Sequence, residues 1–484
     1  MSNAMSIGSV IAHFASATPD RVAIVEDGST DTMTWRQLDR ATNRLARAYA
    51  EYGVGHDSVV AVALPNSAEF FRACVAIWKL GATPMPLSPK QPTAERTRVL
   101  ALAGPVLVVG TDDGLPPGFA PAADVPDTAL PDRSPTHWKI LTSGGSTGSP
   151  KLIVSRESPL FDPAVPAVDY LHANGIHLVS GPLYHNAAFI YSMRGLFCGN
   201  QLVVLRRFDP QRVLDIIAEH RITWTQFVPT MMGRIWRLPE EARASADLSS
   251  LRTILHVGGP CAPWLKRAWI DWLGPDRIVE VYAGTEGQGI TFITGREWLA
   301  HPGSVGRAIR GSRCQVQDET GAPVPPGVVG EVFLMPAGGP GSTYHYVGAT
   351  PRSRDGWESL GDLGHYDEDG YLYLDDRSTD CIVSGGANVY PAEVEGALEA
   401  HPGVRSCAVI GLPDEDLGQR VVAVVEVTPG VTGADLDAHL TGLLTPYKRP
   451  RAYELTDRPL RDEAGKVRRS ALRAERMTQG ARPE

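Results

Sequence analysis

Cysteine is scarce. The six present (Cys74, Cys198, Cys261, Cys314, Cys381 and Cys407) are scattered over 484 residues, with no Cys-x-x-Cys and no paired Cys/His spacing. Neither a zinc site nor a disulfide framework is indicated, and buried free thiols in a reducing compartment are expected. Long apolar runs are missing as well. None reaches the roughly 18 residues of a membrane span. No charged segment followed by an apolar core marks a secretory signal. The expectation is a cytoplasmic protein without a membrane span. Positive charge does not dominate either: the formal net charge is −9, which argues against a nucleic-acid partner. No internal repeat or low-complexity tract is seen. Finally, no Gly-x-x-x-x-Gly-Lys-[Ser/Thr] spacing occurs, so a Walker-type phosphate loop is excluded.

What is present is ordinary for a soluble enzyme: 43% hydrophobic and 21% charged residues. The length exceeds one compact core and predicts two or three domains. Ser2-Asn3-Ala4 ahead of Met5 reads as an expression remnant and is set aside. Residues 34–52 have helical apolar spacing behind Thr34 as a possible cap. Val59–Leu64 reads as a buried strand, Ala68–Leu80 as an amphipathic helix and Thr83–Leu87 as a strand. This alternation predicts an α/β layer with parallel strands. It recurs at Val106–Val109, Gln201–Leu205, Pro210–His220 and Thr253–Val257. From about 305 to 375 short alternating segments predict a small β subdomain, and after Arg377 the texture becomes a compact α+β unit. There Val389–Ala400 reads as a helix, with Cys407–Ile410 and Val421–Val425 as strands. Residues 111–135 read as a surface loop.

Five segments carry chemistry. Thr142-Ser143-Gly144-Gly145-Ser146-Thr147-Gly148 runs on to Lys151 through Ser149-Pro150. Small residues let backbone N–H groups approach an anion, and the hydroxyls and lysine add donors and charge. A Gly/Ser-rich turn fits the same letters. Tyr282-Ala283-Gly284-Thr285-Glu286 ends an apolar strand with a hydroxyl beside a carboxylate, suited to Mg²⁺ and phosphate; a capped turn fits too. Gly361-Asp362 followed by Asp376-Arg377 could grip a ribose diol, or form a surface ion pair. Ser384-Gly385-Gly386-Ala387-Asn388 leads to Glu395, with Asn388 expected to open a helix that has Pro391 in its first turn. Asp462-Glu463-Ala464-Gly465-Lys466 puts a lysine on a glycine-bearing loop, where a basic tail is the plainer alternative.

All five occur in one order. Together with Leu80–Leu87, Pro182-Leu183-Tyr184-His185, Trp224–Thr230 and Gly258-Gly259-Pro260, they resemble the adenylate-forming superfamily of acyl-CoA synthetases, luciferases and peptide-synthetase adenylation domains, over about 34–472. The resemblance implies an α/β fold. Residues 5–377 would form a large N-terminal domain of α/β layers plus the small β subdomain, and 378–484 a mobile α+β C-terminal domain. It implies a ligase using ATP, Mg²⁺ and coenzyme A on a small-molecule carboxylic acid.

Residue by residue, the resemblance places Thr142 to Lys151 around the β- and γ-phosphates. Thr285 would bond the α-phosphate and Glu286 would hold Mg²⁺. Asp362 and Arg377 would grip the ribose, with Leu374 among the nucleotide-binding set. Tyr282 and the Gly258-Gly259-Pro260 turn would flank adenine and substrate. Lys466 would bridge carboxylate and α-phosphate during adenylation. His185 would gate the acyl pocket. Rotation of the small domain would then present Gly385, Gly386 and Asn388 to the pantetheine arm.

The chain departs from the family pattern in several places. Glycine is displaced in Tyr282-Ala283-Gly284, Leu360 stands where Thr or Ser usually precedes Gly-Asp, and Thr379 occupies the hinge position. The stretch 335–357 lacks the usual Gly-Tyr segment. No aspartate follows His185 to hold an amino group, which disfavours an α-amino acid. A pocket lined from Phe189, Phe227–Met232 and His256–Pro260 would be apolar. The Ser-Gly-Gly-Ser-Thr-Gly spelling is similar to that of bile-acid-type and other alicyclic-acid ligases. A polycyclic, terpenoid or aryl acid is expected, as met in actinobacterial diterpenoid and other secondary metabolism. Loading of a carrier protein, a thioester-forming half-enzyme and a non-catalytic nucleotide-binding regulator are the alternatives.

Overall fold

The computed structural model describes residues 3–29, 32–144, 150–166, 168–377, 380–385, 387–414, 416–462 and 465–479. Its backbone is a long sheet whose first half is parallel. Val22–Glu26, Gln201–Val204, Ile176–Val179, Trp224–Phe227, Thr253–Val257 and Ile278–Ala283 pair in that spatial order, each parallel to the next. These strands are runs of Val, Ile, Leu and Thr with almost no exposed position, as parallel strands covered on both faces require. A smaller parallel sheet joins Thr83–Pro86, Val59–Val62 and Leu107–Val109. The expected strand–helix alternation is therefore present.

The first helix expectation also holds at the residue level. Thr34 caps Trp35–Glu51 through its side chain, and Gln37 returns the bond in a capping box. Trp35, Leu38, Leu45 and Tyr49 on one face enter the main core. Residues 111–135 run without helix or strand, apart from a lone bridge at Leu115. Their backbone carbonyls at 125–129 are tied to Asn43, Arg44 and Arg47 of that helix.

The expected β subdomain is continuous with the parallel sheet. Ser304–Ala308 pairs with Ile290–Thr294 at one end and with Leu372–Arg377 at the other. Gly306 makes this changeover possible. Its φ is +90°, and a Cβ there would lie 2.0 Å from the Phe292 carbonyl oxygen, so no other residue fits. Beyond it, Trp357–Tyr366, Gly330–Met335 and Arg313–Gln317 continue antiparallel.

The smaller C-terminal domain is built on the hairpin Val404–Asp414 and Gly418–Val427, with Ala452–Thr456 parallel to its second strand. Its core is Ile382, Val389, Val394, Leu398, Val409 and Val425 with neighbours. Here one expectation is corrected. Asn388 lies on the strand Ala387–Val389, and the helix starts only at Pro391. The residue before a proline is driven out of the helical region, and Tyr390 accordingly sits at φ −94°, ψ 113°.

Candidate active site

The hydroxyl- and glycine-rich segment is flanked by the two strands of an antiparallel pair. Ile140–Gly144 pairs antiparallel with Pro150–Ser155, so Thr142 faces Leu152, Ser143 faces Lys151 and Gly144 faces Pro150. Gly145, Ser146, Thr147 and Gly148 lie outside the described residues. The third strand of this sheet is Tyr344–Val347, which pairs with Pro150–Ser155 on its other side.

That third strand delivers a group the sequence reading missed. Tyr346 OH donates to Glu286 Oε1 at 2.6 Å. Lys151 Nζ donates to the Tyr346 oxygen at 2.8 Å and to Glu286 Oε1 at 3.3 Å. The ammonium also stands 4.0 Å from the Tyr346 ring centroid. Burial and the adjacent Glu286 charge push the Tyr346 phenol well above its ordinary pKa, so it acts as a donor. Glu286 is nearly buried. Its second oxygen, Oε2, accepts no hydrogen bond among the described residues. A carboxylate with one oxygen fixed and one unpartnered is a fitting hard-oxygen ligand for Mg²⁺. Thr285 precedes it in a turn closed by Gly287 N–H to Gly284 O at 3.2 Å.

A second constellation joins Tyr282 and Asp362. Tyr282 OH donates to Asp362 Oδ2 at 2.7 Å, and Asp362 is buried. On the neighbouring strand Arg377 is the backbone register partner of Asp362. Leu374 packs with Tyr282 against the cluster of Val305, Val316, Val332 and Leu372. Gly258 turns the chain after Thr253–Val257 with φ +93°, and a Cβ at Gly259 would meet nothing within 4 Å. The turn therefore opens onto free space at the end of the parallel strands, where open α/β sheets bind ligands.

His185 is the residue before the helix Asn186–Phe197. The apolar cluster beside it contains Ala187, Ile190, Tyr191, Val257, Val281, Ala283, Phe292 and Tyr170, among others. Tyr170 and Tyr191 share a hydroxyl contact of 2.9 Å. The expected lining needs correction. Phe189, Phe227, Met232 and His256 are fully buried in other packing, Phe189 against Trp78 and Trp138 and Phe227 against Trp269. Helical spacing turns Phe189 away from the face that carries Ala187 and Tyr191.

Lys139, also unforeseen, sits just before the strand Ile140–Gly144. It is 5% exposed, and its ammonium donates to Asn186 Oδ1 at 3.0 Å. Burial pushes its pKa down to about 8, with Glu157 and Glu286 opposing and Arg194 reinforcing the shift. Among the described residues it makes no ion pair.

In the C-terminal domain, Lys466 is exposed on a tight loop. Its N–H donates to Asp462 Oδ1 at 2.9 Å and its carbonyl accepts from Asp462 N–H at 3.0 Å. Neighbouring Gly465 abuts Thr230 of the large domain, so the lysine loop rests beside the segment Trp224–Thr230. Gly385 has φ +58° and donates to Leu417 O at 2.9 Å, while Asn388 is exposed on its strand. Gly386, Thr379, Glu463 and Ala464 lie outside the described residues.

Residues 11–346 match the family described as AMP-binding enzyme, and residues 393–466 match the AMP-binding enzyme C-terminal domain. The chain is 32% identical to a feruloyl-CoA synthase of an Amycolatopsis species, over 96% of this chain and 98% of that one. It is 29% identical to the fatty acid–[acyl-carrier-protein] ligase ScoC of Streptomyces coeruleorubidus, over 94% and 93%. Its fold is similar to the crystal structure of ATP-bound MatB from Rhodopseudomonas palustris, with a TM-score of 0.81, 26% identity, and 97% and 99% of the two chains covered. Among the described residues no helix is long and apolar enough to cross a membrane.

Proposed function

The chain belongs to the AMP-binding enzyme family and is an ATP-dependent acid–CoA ligase, and from that premise we propose that it activates a bulky hydrophobic acid, polycyclic, terpenoid or aryl. The acid's carboxylate oxygen attacks the α-phosphorus of ATP, the bond to the β-phosphate oxygen breaks, and pyrophosphate leaves. The thiol sulfur of CoA then attacks the acyl carbon, AMP leaves and the thiol proton passes to solvent. The observation that carries this reading is the meeting of Lys151 and Glu286, 135 residues apart, at the mouth of the hydroxyl- and glycine-rich loop.

Thr142 to Lys151 grip the distal phosphates, Thr285 the α-phosphate, and Asp362 with Arg377 the ribose. Tyr282, Leu374 and Gly258-Gly259-Pro260 flank the base and the acid, and His185 stands at the acid entrance. Glu286 would hold Mg²⁺, which would supply positive charge against the phosphates. Lys466 relieves the repulsion between the two reacting anions as they approach. Gly385, Gly386 and Asn388 meet the pantetheine arm. We place the domain boundary after Arg377, giving 5–377 and 378–484, and the enzyme in the cytoplasm. The mostly apolar cluster around Ala187, Val257, Val281 and Ala283 supports a hydrophobic acid, as does similarity to a feruloyl-CoA synthase. Similarity to an acyl-carrier-protein ligase favours carrier loading as the second reading.

A panel of such acids, incubated with Mg-ATP and either CoA or a holo carrier protein, tests this by mass spectrometry of the thioester. The expected result is acyl-CoA formation with acid-dependent pyrophosphate exchange, and a fall in exchange of about 100-fold or more for Lys466→Ala. Unchanged exchange in that variant overturns the assigned role. Thioester only on the carrier arm selects the second reading. Absent exchange with every acid that still yields thioester from its preformed adenylate points to a half-enzyme.

A further inference from the structure

Glu286 is mounted from two sides, and only one side was visible in the sequence. Tyr346 has one hydroxyl proton, and it goes to Glu286 Oε1 at 2.6 Å; the phenol oxygen in turn accepts from Lys151 at 2.8 Å. The Tyr346–Glu286 bond therefore does not need Lys151, which is free to turn toward a phosphate while the carboxylate stays fixed. The strand bearing Tyr346 is itself pinned. Tyr346 is in register with Ile153, and Tyr344 two residues back donates to buried Glu358 at 2.6 Å.

The other oxygen faces Gly284. A Cβ at Gly284 would come within 2.9 Å of Glu286 Oε2, and within 2.9 and 3.0 Å of the two Leu360 methyls. Two departures from the family pattern thus explain each other. Leucine at 360 fills space beside Gly284, and glycine at 284 leaves room for both the leucine and Oε2.

We propose that Tyr346 is a positioning residue: it fixes Oε1 of Glu286 so that Oε2, in the gap kept open by Gly284, is the oxygen presented to a divalent cation. This rests on the reading of Glu286 as the cation ligand. The test uses the full chain with Mn²⁺ as probe and α,β-methylene-ATP as nucleotide, with free Mn²⁺ counted by electron paramagnetic resonance. Tyr346→Phe keeps the ring under Lys151 and removes only the hydroxyl. It is expected to weaken Mn²⁺ binding about 10-fold or more, with metal-free nucleotide affinity and thermal midpoint unchanged. Glu286→Gln is expected to abolish the tight site. Unchanged Mn²⁺ affinity in Tyr346→Phe, with loss in Glu286→Gln, overturns the positioning role alone. Unchanged affinity in both overturns the reading of Glu286 as well. Should Tyr346→Phe fold poorly, Gly284→Ala is expected to weaken Mn²⁺ similarly, and Gly284→Ala with Leu360→Ala to recover part of it; no recovery counts against the gap.

Discussion

A lysine ammonium taken out of water loses hydration that one amide oxygen cannot replace. Lys139 is in that position: among the described residues its ammonium hydrogen-bonds only to Asn186, and the Trp138 ring centroid stands 5.5 Å away. Its pKa falls from 10.5 to about 8, so the unfolded chain binds the proton more tightly than the folded one. The penalty is fully present below about pH 8 and is relieved as pH rises toward 10.5. Lys139→Met is therefore expected to be more stable at pH 7 by about 1–3 kcal/mol, with the gain shrinking between pH 8 and 10. Thermal midpoints at pH 7, 9 and 10 check this, and a destabilised variant at pH 7 shows instead that the ammonium is favourably paired. Lys139 and Tyr346 were illegible in the sequence for one reason. Their importance comes from partners 47 and 60 residues away in the sequence, which only the tertiary fold brings into contact. Lys151, Glu286 and Asp362 were legible because each sits in a short local pattern of small and polar residues.

At the scale of single elements, the Lys466 loop depends on its two ends. Arg469 Nη2 binds both oxygens of buried Glu395 at 2.8 Å. Arg461 reaches Glu395 at 3.4 Å and Glu399 at 3.3 Å. Both ends are thus clamped to the helix Pro391–Glu399, and Arg461 Nη1 also donates to Gly465 O at 3.2 Å. Gly465 turns the loop at φ +76°, and a Cβ there would lie 2.4 Å from Thr230 Oγ1 and 3.0 Å from its Cγ2. Gly465→Ala adds a left-handed strain of about 1–2 kcal/mol and pushes the loop off the large domain. Acyl-adenylate formation is expected to fall about 10- to 100-fold, with partial recovery when Thr230→Ala is added. A double variant no better than the single one, in a pyrophosphate-exchange assay, rules out the contact as the cause. The glycine was legible; the threonine it serves was not, because nothing local links positions 230 and 465. Element limits were legible to within a residue or two where a cap marks them, as at Thr34. They were misread at Asn388, where a proline three residues on holds off the helix.

The whole molecule poses the question of movement, since Lys466, proposed to act in adenylation, and the glycine-bearing face at Gly385 lie on the same small domain. In this structure that domain rests on the large one near the helix Pro263–Leu273. A Cβ at Gly396 would lie 3.7 Å from Ala262 Cβ, and Arg237 faces the charges of Glu399 and Glu426. A Cβ separation of that size suits a disulfide. The double variant Ala262→Cys with Gly396→Cys should therefore lock the arrangement that sets the Lys466 loop against Thr230. Of the six native thiols, Cys261, Cys314 and Cys381 are partly exposed, so the wild-type chain must be oxidised in parallel. Cys74, Cys198 and Cys407 are buried, and burial also pushes the Cys261 thiol well above its ordinary pKa. If the second half-reaction needs rotation, the oxidised protein keeps acid-dependent pyrophosphate exchange and accumulates acyl-adenylate. Its CoA thioester formation drops at least about 10-fold, and reduction with dithiothreitol restores it. The wild-type chain, oxidised in parallel, should lose neither activity. Thioester formation at the wild-type rate in the locked protein sinks rotation as a requirement and leaves both half-reactions to a single docked arrangement. Loss of exchange together with thioester formation means that the docked arrangement is not the adenylating one, and Lys466 must then act from another position.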